Sequence, residues 1–280
     1  MAQPLEKIRA AVISITATGD KKQNLEKIFT RAEEAVKDGA SWVSLPEMFS
    51  FHGPYNELWE NAEFENGPLN DRLSNFASRH GVVLFAGSVG ERPENSTSGK
   101  IYNTQYVFGR RGEKLAKYRK THLFNLKDQA GKPLYCESDG YLSGNDLVTV
   151  AIDGWKVGLA TCYDLRFTDL FSALSMSGPL DCLVIPAAFT HQTGMYHWEL
   201  LLRARAVENL CYVVAPNQVG VHSPGKQSYG HGLVVDPWGT VLADTGHLEG
   251  VAMAAMALER MKICRGQLPA LDNKRPEIYR

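Results

Sequence analysis

The chain has 280 residues, of which 44% are hydrophobic and 22% are charged, and its formal net charge is -1. This composition is typical of a globular protein with a large apolar core, and it excludes an intrinsically disordered chain. Because the chain is almost neutral, we expect no nucleic-acid partner and no binding to an anionic membrane. No apolar run is long enough to span a bilayer.

We expect one domain over residues 1–280, since no linker-like stretch divides the chain. The cysteines are far apart, and no pair has the spacing of a zinc or redox motif. The N-terminus lacks the apolar core of a signal peptide. These features predict a reduced, cytoplasmic protein without a disulfide framework or a structural zinc ion. The cysteines are Cys136, Cys162, Cys182, Cys211 and Cys264.

Strand-like and helix-like segments alternate along the chain, as in a layered α/β fold. Apolar runs such as 82–86 indicate strands that are buried on both faces. The predicted strands are 9–15, 42–45, 82–89, 102–108, 156–161, 182–185, 211–215, 232–235, 241–243 and 251–256. The predicted helices are 24–37, 69–80, 168–177 and 196–209, the second of them ended by Gly81.

Two charged residues stand where apolar segments begin or end. Pro46 closes the strand 42–45 and fixes the approach to Glu47. A carboxyl group in apolar surroundings is a candidate general base, and the alternative is a solvated loop carboxylate. Lys120 precedes an apolar pair, so it either points inward to stabilise a developing oxyanion or belongs to a basic patch on a loop.

Cys162 follows the strand 156–161 and precedes a helix-like segment. The backbone N–H groups and the dipole at a helix start favour a thiolate, which would make Cys162 a nucleophile. The N–H group of Tyr163 would complete an oxyanion hole. The alternative is a small buried hydrophobic residue, which we expect for Cys182 and Cys211.

Three segments, taken in order, resemble the catalytic motifs of the nitrilase (carbon–nitrogen hydrolase) superfamily. They are 45–47, 118–123 and 162–167, and the resemblance runs from near residue 7 to the C-terminus. It implies a four-layer αββα sandwich with the site at the strand ends. It also implies that Glu47, Lys120 and Cys162 are catalytic, and that a second glutamate downstream of the lysine, here Glu137, supports them. The segment 125–135 then resembles a loop that covers the pocket.

Further segments are similar to the Nit branch of this superfamily, which holds ω-amidases and amidases of deaminated glutathione. They are 197–206, 228–232, 235–239 and the ending from 268 to 279. The resemblance implies hydrolysis of a terminal carboxamide, in a small carboxylate-bearing substrate, to an acid and ammonia through a thioester. It implies no cofactor and no metal. It favours a substrate similar to deaminated glutathione, although Met195 and Tyr196 replace the usual Pro-Ala of both groups.

Arg166 lies four residues after Cys162, the candidate nucleophile. Arg166 would clamp a substrate carboxylate in a bidentate pair, or it would form a structural ion pair with Asp164 or Asp169. Three residues, together with Tyr163, fall at positions that resemble pocket-lining residues: Phe49, Phe189 and Thr193. For the two phenylalanines, core packing is the alternative.

Other functions stay open at this point. They are ω-amide hydrolysis of α-ketoglutaramate or α-ketosuccinamate, nitrile or N-carbamoyl hydrolysis, a papain-like Cys–His enzyme, and a non-catalytic scaffold. The histidines lack the spacing of a metal site, and we expect His197 to make a structural hydrogen bond. The resemblance also implies a homodimer or larger homo-oligomer, with contacts through 168–176 and a C-terminal tail at 265–280.

Overall fold

Two β-sheets lie face to face in the centre of the protein, and helices cover their outer faces. The computed structural model describes residues 4–94, 97–223, 225–275 and 277–278. The residues 276, 279 and 280 of the predicted C-terminal tail lie outside these ranges. None of the helices within these ranges is long and apolar enough to cross a membrane.

The elements follow one another in an alternating order. The strands of the described chain are β1 (Lys7–Ser14), β2 (Trp42–Ser44), β3 (Val83–Glu91), β4 (Ile101–Phe108), β5 (Lys114–Arg119), β6 (Asn125–Lys127), β7 (Pro133–Cys136), β8 (Tyr141–Leu142), β9 (Thr149–Ile152), β10 (Trp155–Leu159), β11 (Cys182–Val184), β12 (Tyr212–Ala215), β13 (Val219–Ser223), β14 (Lys226–Tyr229), β15 (Leu233–Val235), β16 (Val241–Asp244) and β17 (Gly250–Ala257). The α-helices are α1 (Lys21–Lys37), α2 (Leu58–Asn61), α3 (Pro68–His80), α4 (Thr168–Leu174), α5 (His191–Asn209) and α6 (Leu258–Gln267), with 3-10 turns at Tyr55–Glu57, Glu137–Asp139 and Cys162–Arg166.

Each sheet is built around three parallel strands. The first has the order β17-β1-β2-β3-β4-β5, with β8 beside β4, and the second has the order β16-β15-β12-β11-β10-β9. The parallel strands are β1, β2 and β3 in one sheet and β10, β11 and β12 in the other. Since parallel strands end at the same edge of a sheet, the residues that follow β2 and β10 are placed to form a site.

The apolar core has three layers, one between the sheets and one under each set of helices. Between the sheets, Trp42 and Trp155 meet edge to face, with their ring centroids 5.9 Å apart. Helices α1 and α3 cover the first sheet, and α4 and α5 cover the second. The four-layer αββα arrangement implied by the sequence is therefore present.

The structure differs from the sequence prediction mainly in its exposed parts. Helix α5 begins at His191 rather than at 196, and its first turn contains Gly194, where a Cβ atom would lie 2.4 Å from the Cβ of Tyr229. The predicted covering loop at 125–135 forms the hairpin β6–β7. Strand β5 is absent from the sequence prediction because its sequence, KLAKYR, is neither an apolar run nor a regular alternation. Cys182 and Cys211 are fully buried, as predicted.

Candidate active site

A cavity of about 520 Å³ lies where the ends of β2 and β10 meet. Glu47, Lys120, Glu137 and Cys162 all line it, although they come from four distant segments of the chain. The structure therefore brings together the four residues to which the family resemblance assigns catalysis.

An irregularity in β3 positions Glu47. The pairing of β3 with β4 shifts between Ala86 and Val89, so that the chain of β3 approaches the residues that follow β2. A Cβ atom on Gly87 would lie 2.0 Å from the carbonyl oxygen of Pro46. The backbone carbonyl of Glu47 accepts a hydrogen bond of 2.9 Å from Gln218. The backbone at Glu47 is thus fixed from two sides, by β3 at Gly87 and by the side chain of Gln218.

Lys120 and Glu137 come from the chain on either side of the hairpin β6–β7. Lys120 follows β5, and its N–H group donates to the carbonyl of Asn103 over 2.9 Å. Glu137 begins a 3-10 turn after β7, and one of its carboxylate oxygens accepts a 2.6 Å hydrogen bond from the N–H group of Phe124. Both side chains are almost completely buried.

The Lys120 ammonium joins the two glutamates. Its Nζ atom lies 3.0 Å from Oε1 of Glu47 and 2.9 and 2.8 Å from the two carboxylate oxygens of Glu137. Burial alone would lower the pKa of Lys120, but Glu137 and Glu47 outweigh it and raise the pKa well above its usual range. Burial also raises the pKa of Glu137, and Lys120 opposes this. Lys120 therefore stays positively charged in this site.

Two further groups, which the sequence analysis missed, hold Glu47. The side-chain amide of Asn103 donates to Oε1 of Glu47 over 2.8 Å, and the N–H group of Ala188 donates to Oε2 over 2.7 Å. Asn103 is one of three successive polar residues in a buried strand, which is a signal that the sequence contained. Ala188 contributes only its backbone, so its residue type carried no signal.

Cys162 sits in a constrained turn at the exit of β10. Its φ angle of 49° is in the left-handed region, which is uncommon for a residue other than glycine. Its N–H group donates to the carbonyl of Pro186. Buried Asp164 fixes the turn by accepting hydrogen bonds from the N–H group of Thr161 and the hydroxyl of Tyr118, over 2.9 and 2.7 Å. Strain held by such a network is common at functional sites.

The charge state of Cys162 differs from the sequence expectation. Burial raises the pKa of its thiol well above the ordinary value, the negative charge of Glu47 raises it further, and Lys120 only partly opposes them. The helix start that was expected to favour a thiolate is a 3-10 turn of 5 residues, so its dipole is small. The resting residue is therefore a thiol.

Arg166 lies beside a second, smaller cavity, which also contains Cys162. Its guanidinium lies 5.2 Å from the ring centroid of Phe189 and 3.3 Å from Nδ1 of His197. No carboxylate of the described chain pairs with Arg166, so the alternative of a structural ion pair with Asp164 or Asp169 is not present. Asp164 is instead bound to the Cys162 turn and to His122. The structural hydrogen bond expected of His197 is present.

The other predicted pocket residues divide into two groups. Tyr163, Phe189 and Thr193 line the smaller cavity, and Phe189 also packs on Trp198 in the core. Phe49 is fully buried under the first sheet and lines neither cavity, so the core alternative is the correct one for it. No group of three or more His, Cys, Asp and Glu side chains in the described part of the chain could hold a metal ion.

Comparisons with known proteins show the family of the chain. The family model described as carbon-nitrogen hydrolase matches residues 9–265. A deaminated glutathione amidase of Synechocystis is 38% identical over 267 residues, covering 95% of this chain and 97% of that protein. The omega-amidase NIT2 of Mus musculus is also 38% identical, over 273 residues that cover 97% and 96% of the two chains.

Solved structures show the same fold. The NitFhit protein of C. elegans superposes with a TM-score of 0.90 at 33% identity, covering 100% of this chain and 67% of that chain. Nit3 of Saccharomyces cerevisiae, a member of branch 10 of the nitrilase superfamily, gives a TM-score of 0.85 at 30% identity, with 95% and 96% covered. The resemblance of the three sequence motifs is thereby confirmed, and the chain belongs to the carbon–nitrogen hydrolase family.

Proposed function

We propose that the protein is a cysteine-dependent amidase. The observation that carries this proposal is the buried array of Glu47, Lys120 and Glu137 in one cavity with Cys162. A nucleophile, a carboxylate base and a fixed cation are the groups that acyl transfer requires. The names of the relatives, deaminated glutathione amidase and omega-amidase, support the same reaction class.

The first half of the proposed reaction forms a thioester. Glu47 takes the proton of the Cys162 thiol, and the sulfur attacks the amide carbonyl carbon. Lys120 and the N–H group of Tyr163 stabilise the oxyanion, an effect typically worth about 2.7–4 kcal/mol per donor. The C–N bond breaks as Glu47 passes its proton to the leaving nitrogen, and the acyl group stays on Cys162.

The second half releases the acid. Glu47 takes a proton from a water molecule whose oxygen attacks the thioester carbonyl, and the C–S bond breaks. The proton then returns to the sulfur, which restores the thiol. Glu137 and Asn103 act as positioning residues, because they hold Lys120 and Glu47 by the hydrogen bonds described above. No cofactor or metal takes part in this scheme.

The leaving group separates the two substrate candidates. Deaminated glutathione has secondary amide bonds and no carboxamide, so its hydrolysis releases an amine. The expected product ammonia arises only from carboxamides such as α-ketoglutaramate. We place a deaminated glutathione-like amide first and an ω-amide second. In both cases Arg166, which has no carboxylate partner in the described chain, would bind the carboxylate of the acyl part.

The location and assembly of the protein are part of the proposal. All five cysteines are unpaired in the structure, which supports a reducing compartment such as the cytoplasm. A homodimer is proposed on the family resemblance, and its test is described below.

The test of the reaction is a substrate panel with two cysteine variants. It compares deaminated glutathione, α-ketoglutaramate, α-ketosuccinamate, a nitrile and an N-carbamoyl amino acid, and it measures the acid product chromatographically. We expect Cys162→Ala to lose at least about 10³-fold in turnover while its circular dichroism stays native. The control Cys136→Ala removes another partly exposed thiol and should keep full activity. Undiminished turnover by Cys162→Ala would overturn the proposal.

A further inference from the structure

A second lysine lies in the large cavity, far along the chain from the catalytic residues. Lys226 is the first residue of β14, and its Nζ atom lies 5.3 Å from the ring centroid of Tyr55 and 5.6 Å from that of Tyr135. All three side chains line the cavity. No carboxylate of the described chain pairs with Lys226, whereas Lys120 is held by two.

Lys226 marks the outer end of the cavity. Lys120 is 2% exposed, but Lys226 is only partly buried, and the wall of the same cavity also contains the exposed side chains of Leu126 and Leu134. At the inner end two carboxylates share one ammonium. The cavity is therefore negative inside and positive at its mouth, which orients an anionic ligand with its charge outward.

A second feature of this part of the cavity is a histidine pair, His52 and His222, in which one ring nitrogen has no hydrogen-bond partner in the described chain. The ring of His52 stacks on that of His222 at 4.1 Å, and both rings line the cavity. Burial lowers the pKa of each histidine, and the nearby charge of Lys226 lowers it further, so both rings are neutral. The buried Nδ1 atom of His52 has no hydrogen-bond partner in the described chain. A neutral ring can donate this hydrogen bond to a bound carboxylate.

The positions of Glu47, Cys162 and Arg166 indicate which part of the substrate lies toward Lys226. Glu47, which protonates the leaving nitrogen, lines the large cavity but not the small one. Arg166 lines the small cavity but not the large one. Cys162 lines both. If the acyl carboxylate binds Arg166, as proposed above, a substrate with its carbonyl carbon at Cys162 places its leaving amine toward Lys226.

We propose that Lys226 binds a carboxylate on the leaving amine, so that the substrate is an amide joining a short carboxylate-bearing acyl group to a peptide-like amine with a C-terminal carboxylate. This inference rests on the proposed amidase function and deepens it. The cavity of about 520 Å³ is in the range that holds an extended ligand. An ammonia leaving group would fill almost none of this cavity, and it would make no contact with the positive charge of Lys226.

The test is a thermodynamic cycle that changes the lysine and the substrate carboxylate separately. The wild type and Lys226→Met are each assayed with deaminated glutathione and with an analogue that carries ethylamine in place of glycine and so lacks the terminal carboxylate. For wild type we expect kcat/KM to be roughly 10–100-fold higher for the charged substrate, the range of a charge-assisted hydrogen bond. In Lys226→Met this preference should disappear. Lys226→Arg should restore most of it.

Controls separate this inference from the proposed reaction. Lys22→Met removes an exposed lysine elsewhere and should retain the wild-type preference. Binding of both compounds to Cys162→Ala and to Cys162→Ala/Lys226→Met, measured by calorimetry, tests the carboxylate site without turnover. If Lys226→Met weakens the binding of both compounds equally, or of neither compound, the inference is wrong. Loss of the charge preference in binding, together with no turnover of any amide by the wild type, would sustain the carboxylate site and overturn the proposed amidase.

Discussion

The protonated state of Cys162 has a direct chemical meaning. A thiol reacts poorly with oxidants and alkylating agents, since the thiolate is the reactive form. Glu47 raises the pKa of the thiol, and in the proposed mechanism it is also the base that removes the proton. In the proposed mechanism the thiol thus stays unreactive until Glu47 deprotonates it beside an amide carbonyl, and Lys120 then stabilises the negative charge that moves onto the substrate oxygen.

This charge state predicts a titration. Because burial and then Glu47 raise the pKa of the thiol, its deprotonation should occur above the ordinary cysteine range, and the thiol form should persist through neutral pH. The measurement is the ultraviolet absorbance of the thiolate as a function of pH, taken as wild type minus Cys162→Ala. Glu47→Gln should lower the midpoint, since it removes a negative charge, but burial should keep it above the ordinary value. A thiolate signal already complete at pH 7 would contradict this.

Single residues differed in how well the sequence predicted them. Glu47, Lys120 and Cys162 each follow a strand that could be recognised, and their order along the chain matched a known pattern. Asn103 lies in a polar run within a buried strand, but strand pairing decides that it reaches the cavity, and Lys226 reaches it through a hairpin that no local sequence pattern encodes. The wrong prediction for Phe49 has a similar cause, because the direction of its side chain depends on the turn after β2.

Strand β3 acts as a support for the loop that carries Glu47. Its pairing with β4 is irregular after Ala86, and the N–H group of Met48 donates to the hydroxyl of Ser88 over 3.0 Å. Such irregularities locally redirect a strand and are frequent beside active sites. Gly87 makes the close approach possible, since any side chain there would meet the backbone of the loop.

Gly87→Ala should therefore impair both catalysis and stability. The added methyl group would lie 2.0 Å from the carbonyl oxygen of Pro46, so the loop must shift. We expect overpacking to cost about 1–3 kcal/mol in the free energy of unfolding. A shift of Glu47 by about 1 Å would lower kcat/KM on the order of 10²-fold. Urea unfolding and steady-state kinetics measure the two effects.

Gly266→Ala is the matched control for this experiment. Gly266 lies in α6 with nothing within 4 Å of the position of its Cβ atom, so alanine there should leave activity unchanged and stabilise the helix slightly. Wild-type kinetics in Gly87→Ala would show that the irregular part of β3 does not position Glu47.

The elements were predictable where burial left a clear pattern. The parallel strands appear as apolar runs, and α1 and α3 have apolar residues at helical spacing, so these elements were found. The hairpin β6–β7 is largely exposed and β13–β14 is only partly buried; the strands of both are short, and their sequences carry no such pattern. They nevertheless form much of the cavity wall, which is why the substrate was harder to predict than the reaction class.

The helical layer over the second sheet exposes several large apolar side chains. Met176 is 80% exposed, Tyr196 is 73% exposed and Leu200 is 65% exposed. Exposed apolar groups that share one layer of a protein are typical of an interaction surface. The predicted dimer contact at 168–176 lies in the same layer.

We therefore expect a homodimer that depends on this surface. Light scattering with size-exclusion chromatography should give a dimer for wild type and a smaller species for Met176→Asp/Leu200→Asp. The control Leu248→Asp changes a side chain that is 78% exposed in the segment between β16 and β17, and it should remain dimeric. A monomeric wild type, or a double variant that stays dimeric, would remove the support for this interface.

The pairing of β1 with β17 has a consequence for synthesis in the cell. The two strands are hydrogen-bonded from Lys7 with Ala257 to Ser14 with Gly250, so β1 needs a partner from the other end of the chain. At ribosomal rates of about 5–20 residues per second, β17 emerges roughly 10–50 s after β1. During that time one edge of a largely buried strand is uncovered, and such an edge is prone to pair with other chains. The nascent protein is therefore expected to need protection by chaperones until its last strand has been made.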